Sequence, residues 1–253
     1  MTEPPTPERI VTAALLVIGD EILSGRTKDK NIGHIAEFLT RIGIDLREVR
    51  VVPDVPDEIV AALDALRHRY TYLFTTGGIG PTHDDITADC VARAFGVPID
   101  VDERAVAKLL ERYSREDLNE ARLRMARIPE GAELVENPIS KAPGFRIGNV
   151  IVMAGVPAIM QAMLEAVAPR LEVGGRVLSR NVEAGALAEG LYSAGLAEVA
   201  AAHPAVSIGS YPSFSEGRFS NAIVVRGRDP EAVAAAVEAV EALVARLRAE
   251  HGL

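Results

Sequence analysis

Three times in its first ninety residues the chain repeats one pattern: an apolar run, a turn of glycine or acid, and a stretch whose apolar residues recur every three to four positions. Thr12–Ile18 is continuous and apolar, ends at Gly19-Asp20-Glu21, and leads to Ile32, Ile35, Ala36, Leu39 and Ile42 at helical spacing, closed by Gly43. Leu46, Val49 and Val51 form the second run, which ends at Val52-Pro53-Asp54. A helix from about Pro56 then carries Ile59, Val60, Leu63 and Leu66 on one face. The third run, Tyr72–Thr76, enters a glycine loop and a helix bearing Ile86, Cys90, Val91 and Ala94. Uninterrupted apolar strands are those buried on both faces, and strand–helix alternation predicts βαβ units with right-handed crossovers in a mainly parallel sheet. The expected fold class is therefore α/β, doubly wound, with a second and smaller domain.

The remainder is less regular. Residues 103–127 read as a charged, solvated helical excursion. Short strands are expected around 134–135, 145–147 and 150–153, with Gly148-Asn149 as a hairpin turn, and Val156-Pro157 opens a helix. Gly174-Gly175 breaks the pattern, which divides the chain into a domain over 10–172 and a small α+β domain over 176–253. The second domain is expected to run strand (177–182), helix (187–202), strand (206–211), strand (221–226) and a long alanine-rich helix from Pro230 to about Glu250.

The chain has 253 residues, a formal net charge of −9, 4% aromatic residues and no tryptophan. Scattered basic residues and few aromatics argue against a nucleic-acid partner. The single cysteine, Cys90, permits no disulfide within the chain and no cysteine metal cluster. Residues 1–9 are rich in proline and acid and have no apolar core, so they read as a disordered leader rather than a signal peptide. No apolar run is long enough for a bilayer. A cytoplasmic location and no membrane partner are expected.

The chemistry concentrates in Leu73-Phe-Thr-Thr-Gly-Gly-Ile-Gly-Pro-Thr-His-Asp-Asp85. Thr76, Gly77, Gly78 and Gly80 at a strand-to-helix turn build an anion site, because glycine lets a ligand approach the backbone and the following helix presents unpaired N–H groups. Asp84 and Asp85 beside a phosphate suggest an intervening divalent cation, Mg²⁺ or similar. If the strands are parallel, Asp20, Glu21 and Asp54 converge on the same edge, where ligands of open α/β sheets bind. The plainer alternative is that these acids cap helices and turns. Asn31 caps its helix or reaches the site, and Lys141 meets a phosphate or is solvated. The chain has no G-x-S-x-G elbow, Walker lysine or G-x-G-x-x-G.

These residues carry a resemblance. Gly19-Asp-Glu-Ile-Leu-Ser-Gly25 with Asn31, Val52-Pro53-Asp54, Thr75-Thr-Gly-Gly-Ile-Gly-Pro-Thr-His-Asp-Asp-Ile-Thr87, Lys141-Ala-Pro-Gly-Phe145, Gly155-Val-Pro157 and Ile208-Gly-Ser-Tyr-Pro212 resemble the molybdopterin-binding fold. The likeness is greatest to the N-terminal part of CinA-type competence/damage-inducible proteins and to the similar domain of FAD synthases. Ala154 stands where the family often has proline.

The resemblance implies a homo-oligomer and a small nucleotide or pterin ligand, but no single activity. One branch adenylylates molybdopterin with ATP and magnesium, with acids matching Asp54 and Asp85 as its important carboxylates. CinA-like members with His-Asp-Asp are associated with metal-dependent cleavage of nucleotide pyrophosphates such as ADP-ribose or FAD, and Thr82-His-Asp-Asp85 favours that branch. The expectation is therefore a nucleotide pyrophosphatase. Asp54 and Asp85 are catalytic, Asp20, Glu21, Asp84 and Asp85 hold metal, and Thr76, Gly77, Gly78, Gly80, Asn31 and Lys141 bind the nucleotide. The alternatives are a molybdopterin adenylyltransferase or a non-catalytic binding module. No amidase activity of the longer CinA proteins is expected.

Overall fold

The structure, a computed structural model, describes residues 9–215 and 218–252. The expected leader over 1–9 therefore lies almost wholly outside the described residues. The chain divides into two units, one through Gly174 and one from Gly175.

The first unit runs β1 (Val11–Ile18), α1 (Asp20–Leu23), α2 (Asn31–Arg41), β2 (Ile44–Val52), α3 (Pro56–Arg67), β3 (Tyr72–Thr76), α4 (Thr87–Phe95), β4 (Ile99–Val101), α5 (Glu103–Leu110), α6 (Glu120–Arg124), β5 (Arg127–Pro129), β6 (Glu133–Val135), β7 (Gly144–Ile147), β8 (Val150–Met153) and α7 (Pro157–Val167). Its main sheet has the order β2-β1-β3-β8-β7-β6. The first four strands are parallel, β7 is antiparallel to β8, and β6 is antiparallel to β7. This is the doubly wound, mainly parallel α/β sheet that the strand–helix alternation predicts.

Side-chain alternation explains why the strands read as unbroken apolar runs. Ala14, Leu16, Ile18, Leu73, Val150 and Val152 point to one face and pack with Ile59 and Leu63 of α3 and Val91 of α4. Ala13, Leu15, Val17, Phe74, Ile151 and Met153 point to the other, against Ile35 and Leu39 of α2 and Met160 and Leu164 of α7. Each fully buried aliphatic side chain contributes about 1.5–3 kcal/mol. A sheet covered on both faces has no polar side to reveal its period.

The long helix expected over 103–127 does not form. The chain leaves α5 at Leu110, and the Ser114 Oγ–H donates to Asp117 Oδ2 at 2.8 Å while accepting the Asp117 N–H at 3.2 Å. The Asn119 side chain then caps α6 by accepting the Arg122 N–H at 3.0 Å. Short polar side chains that bond the nearby backbone compete with helix continuation. The segment ends in β5, which pairs antiparallel with β4, a short strand that the apolar pattern does not reveal.

The second unit comprises β9 (Leu178–Gly185), α8 (Glu189–Ala202), β10 (Ser207–Ser215), β11 (Arg218–Gly227) and α9 (Pro230–His251). Its antiparallel sheet has the order β10-β11-β9, and the helices cover it around Tyr192, Ile223, Val225, Val240 and Val244. A Cβ at Gly195 would lie 2.7 Å from a terminal methyl of Leu243, so α8 and α9 pack closely at this point. This is the smaller α+β domain. Among the described residues no helix is long and apolar enough to cross a membrane.

Candidate functional site

The order β2-β1-β3-β8 places the carboxyl ends of four parallel strands on one rim. After β1 the chain pairs first to one side as β2 and then to the other as β3, so the switch in strand order falls at β1/β3, where open α/β sheets form their ligand crevice. Glycines allow the strand-end turns to meet. A Cβ on Gly77 would sit 2.2 Å from the Ile18 carbonyl oxygen, and one on Gly155 would sit 3.3 Å from the Gly77 Cα.

The glycine loop is held by its carbonyls. The Thr87 Oγ1–H donates to the Gly77 carbonyl at 2.9 Å, and the Thr87 N–H to the Gly78 carbonyl at 3.0 Å. Thr87 is the first residue of α4, so these bonds fasten the loop to that helix's amino end. Gly77 differs from expectation: its N–H already donates to the Met153 carbonyl at 3.2 Å. The amides of Gly78, Ile79 and Gly80 have no partner among the described residues, which leaves them free to donate to an anion.

Asn31 proves to be a bridge rather than a cap. Asp29 Oδ1 accepts the N–H groups of Asn31 and Ile32 at 3.0 and 2.8 Å, and so starts α2. The buried Asn31 side chain donates instead to the Gly155 carbonyl at 2.8 Å, tying α2 to the turn after β8. Asn31 Oδ1 and the hydroxyls of Thr75 and Thr76 are buried without a hydrogen-bond partner. Unsatisfied polar groups are rare in native interiors, and an ordered water or a ligand at these strand ends would complete their bonding. Asn31→Ala strands the Gly155 carbonyl and is expected to cost about 1–2 kcal/mol in a urea melt.

The acids differ in what holds them. Asp54, at the end of β2, accepts the Asp20 N–H at 2.9 Å. Glu21 folds back over Gly19, where an added Cβ would lie 2.5 Å from its carboxylate. Burial pushes the Asp54 carboxyl above its ordinary range; the Asp20 N–H works against this, while the negative charges of Asp20, Glu21 and Asp84 add to it. Asp85 turns inward on its own loop: its Oδ2 accepts the Thr82 N–H at 2.8 Å and the Thr82 hydroxyl at 2.6 Å. Asp84 is exposed, 3.9 Å from His83. Lys141 pairs with Glu111 at 2.7 Å, from a backbone with φ of 67°.

Among the described residues no three His, Cys, Asp or Glu side chains converge tightly enough to cage a metal ion. The metal set expected from Asp20, Glu21, Asp84 and Asp85 is not assembled among the described residues: Asp85 Oδ2 is taken up by Thr82, and Asp84 is exposed. The donors that do gather, Asp54 beside Asp20 and Glu21, suit a different arrangement. Magnesium commonly binds through one or two carboxylates and takes its other ligands from substrate phosphates and water. A cation that arrives with a polyphosphate would offset the mutual repulsion of these acids.

Sequence reasoning missed Thr87 and Asp29, both legible in principle as polar residues at helix starts. It also missed Asp89, Arg124 and Arg127, which line a small hollow beside Gly78–Gly80. Their separation in sequence gives no local signal.

Comparison with known proteins agrees with this architecture. Residues 14–173 match the family described as a probable molybdopterin binding domain, and residues 176–250 match the middle domain of FAD synthase. A Caldivirga maquilingensis protein is 38% identical over 170 residues, which is 65% of this chain and 66% of that one. An Archaeoglobus fulgidus protein is 34% identical over 232 residues, 91% of this chain and 96% of that one. The crystal structure of a Thermoplasma acidophilum CinA protein of unknown function is 37% identical with a TM-score of 0.60, covering 64% of this chain and 98% of that one. The match spans just under two thirds of the Caldivirga relative.

The expectation of a nucleotide pyrophosphatase does not survive these findings. It required carboxylates gathered as an ion cage to activate water, and no such cage exists among the described residues. The family match points instead to pterin binding. With its glycine loop, strand order and matched residues in agreement, the chain belongs to the molybdopterin-binding domain family through 14–173 and carries a domain related to the middle domain of FAD synthase after it.

Proposed function

We propose that the first unit is a molybdopterin adenylyltransferase, binding a magnesium–ATP complex and a phosphorylated pterin at the β1/β3 crevice. The observation that carries the reading is the row of unpaired amides at Gly78, Ile79 and Gly80 beside the amino end of α4, with Asp54, after β2, held to the turn after β1 by the Asp20 N–H at 2.9 Å. Amides fixed before the ligand arrives stabilise charge on a phosphoryl group without reorganising.

In the reaction, an oxygen of the pterin's terminal phosphate attacks the α-phosphorus of ATP. The bond from that phosphorus to the bridging oxygen of pyrophosphate breaks, pyrophosphate leaves with the electron pair, and a phosphoanhydride remains. No oxidant or reductant is needed. The loop amides orient the phosphoryl group, and Asp54 with Asp20 or Glu21 would hold the cation. That cation supplies charge neutralisation to the polyphosphate. Asp85 keeps the loop in shape through Thr82.

The test is to incubate the purified protein with molybdopterin, ATP and magnesium and to follow both products. Adenylylated pterin and pyrophosphate in equal amounts support the reading. Pterin binding with no pyrophosphate above the pterin-free control leaves a binding module and removes the transferase.

A further inference from the structure

Arg124 is the last residue of α6, and its side chain borders the glycine loop. It lines two adjoining spaces: the small hollow bounded by Gly78, Gly80 and Asp85, and a larger one of about 560 Å³ beyond Pro81 and His83. Its Nη2 approaches the Asp85 carbonyl at 3.5 Å, too far for a strong hydrogen bond. Its Nε is buried without a partner. No carboxylate among the described residues is within ion-pair distance of it. Glu120 lines the larger space four residues earlier on the same helix, yet forms no ion pair with Arg124. Arg127, which borders both spaces, is already neutralised by Asp89 through two contacts of 2.7 Å.

A partly buried guanidinium with no counter-charge is costly, and the cost is removed when an anion enters. Guanidinium is also the side chain best matched to phosphate. The remaining walls are apolar, from Pro81, Val101, Ala121 and Leu123, and the volume falls within the range of small-molecule pockets.

We propose that Arg124 binds the phosphate of a phosphomonoester whose ring lies against Leu123 and Pro81. It is the cationic counterpart of the Asp54, Asp20 and Glu21 carboxylates. The division follows from charge. A polyphosphate that brings its own cation suits Asp54, Asp20 and Glu21. A phosphate without a metal needs a cation from the protein, and Arg124 supplies it. This deepens the transferase reading by placing the acceptor's phosphate, but its test uses no ATP and no turnover, so the two stand or fall separately.

The experiment measures binding of a pterin monophosphate, the same pterin without phosphate, and AMP by calorimetry in EDTA. The wild-type protein is expected to bind the pterin monophosphate. Arg124→Ala is expected to weaken it at least tenfold, with Arg124→Lys between the two. The unphosphorylated pterin should bind both proteins equally, a result that a merely structural role for Arg124 would not give. Tighter binding of AMP with the same dependence on Arg124 would keep the anion role and assign the space to the nucleotide. Equal binding of pterin monophosphate and AMP by wild type and a folded Arg124→Ala, loss of the unphosphorylated pterin as well, or no binding of any phosphate by the wild type would overturn the proposal.

Discussion

Asp54→Asn is expected to lower adenylyl transfer by about 10²–10³-fold while leaving the protein slightly more stable than its parent. The rate loss follows from removing the carboxylate that meets a cation-bearing polyphosphate, a loss typical of one electrostatic group at a phosphoryl site. The stability gain follows from the same carboxylate's surroundings. Burial raises the Asp54 carboxyl above its ordinary range, and Asp20, Glu21 and Asp84 add negative charge. Asparagine keeps an acceptor for the Asp20 N–H and drops the charge. The sign is fixed by linkage: with a raised folded pKa the native state binds the proton more tightly than the unfolded chain, so the wild type loses stability as pH rises from about the ordinary Asp value through the raised one. The half-exposed position limits the gain to about a few tenths of a kcal/mol. Urea melts at pH 4 and pH 7 check it: the advantage of the asparagine variant should be larger at pH 7. An advantage larger at pH 4, or a variant with full activity, would remove Asp54 from this role.

Gly77→Ala is expected to destabilise the first unit by roughly 3–5 kcal/mol, enough to leave little folded protein at 37 °C. Two effects add. Residue 77 has φ of 100°, a backbone that costs an L side chain about 1–2 kcal/mol. The new Cβ would also fall 2.2 Å from the Ile18 carbonyl oxygen, on a buried central strand that cannot yield. Gly131→Ala separates the two effects. It shares a positive φ, 81°, but a Cβ there meets nothing within 4 Å, so it should cost only about 1–2 kcal/mol. Similar melting temperatures for the two variants would show that the contact between β1 and β3 is not what makes Gly77 necessary.

Much of the first unit was legible because its information is local. Apolar runs buried on both faces announce parallel strands, and helical spacing marks α2, closed by Gly43, and α4. The Gly148-Asn149 turn between β7 and β8 was equally plain. What misled was also local: the charges over 103–127 suit a solvated helix, and only the Ser114–Asp117 and Asn119–Arg122 bonds show that the chain turns twice and enters β5. Helical charge spacing is compatible with both outcomes, because side-chain bonds to the backbone compete with the helix at small energetic cost.

The candidate site separates along the same line. Which residues could serve it, namely the glycines, Asp20, Glu21, Asp54, Asp85 and Asn31, followed from residue chemistry and from the rule that parallel strands end on one edge. Which atoms remain available did not. The Gly77 amide goes to Met153, one oxygen of the Asp85 carboxylate to Thr82, the Lys141 ammonium to Glu111, and the Arg124 guanidinium, 39 residues on from Asp85, arrives without a carboxylate partner. Sequence by itself determined the sheet, its rim and the types of group on it, since strand burial and glycine chemistry act over a few neighbouring residues. Tertiary structure alone decided which donors and carboxylates are spent and which are free, since each such bond is a competition between partners that only the completed fold brings within 3 Å of one another.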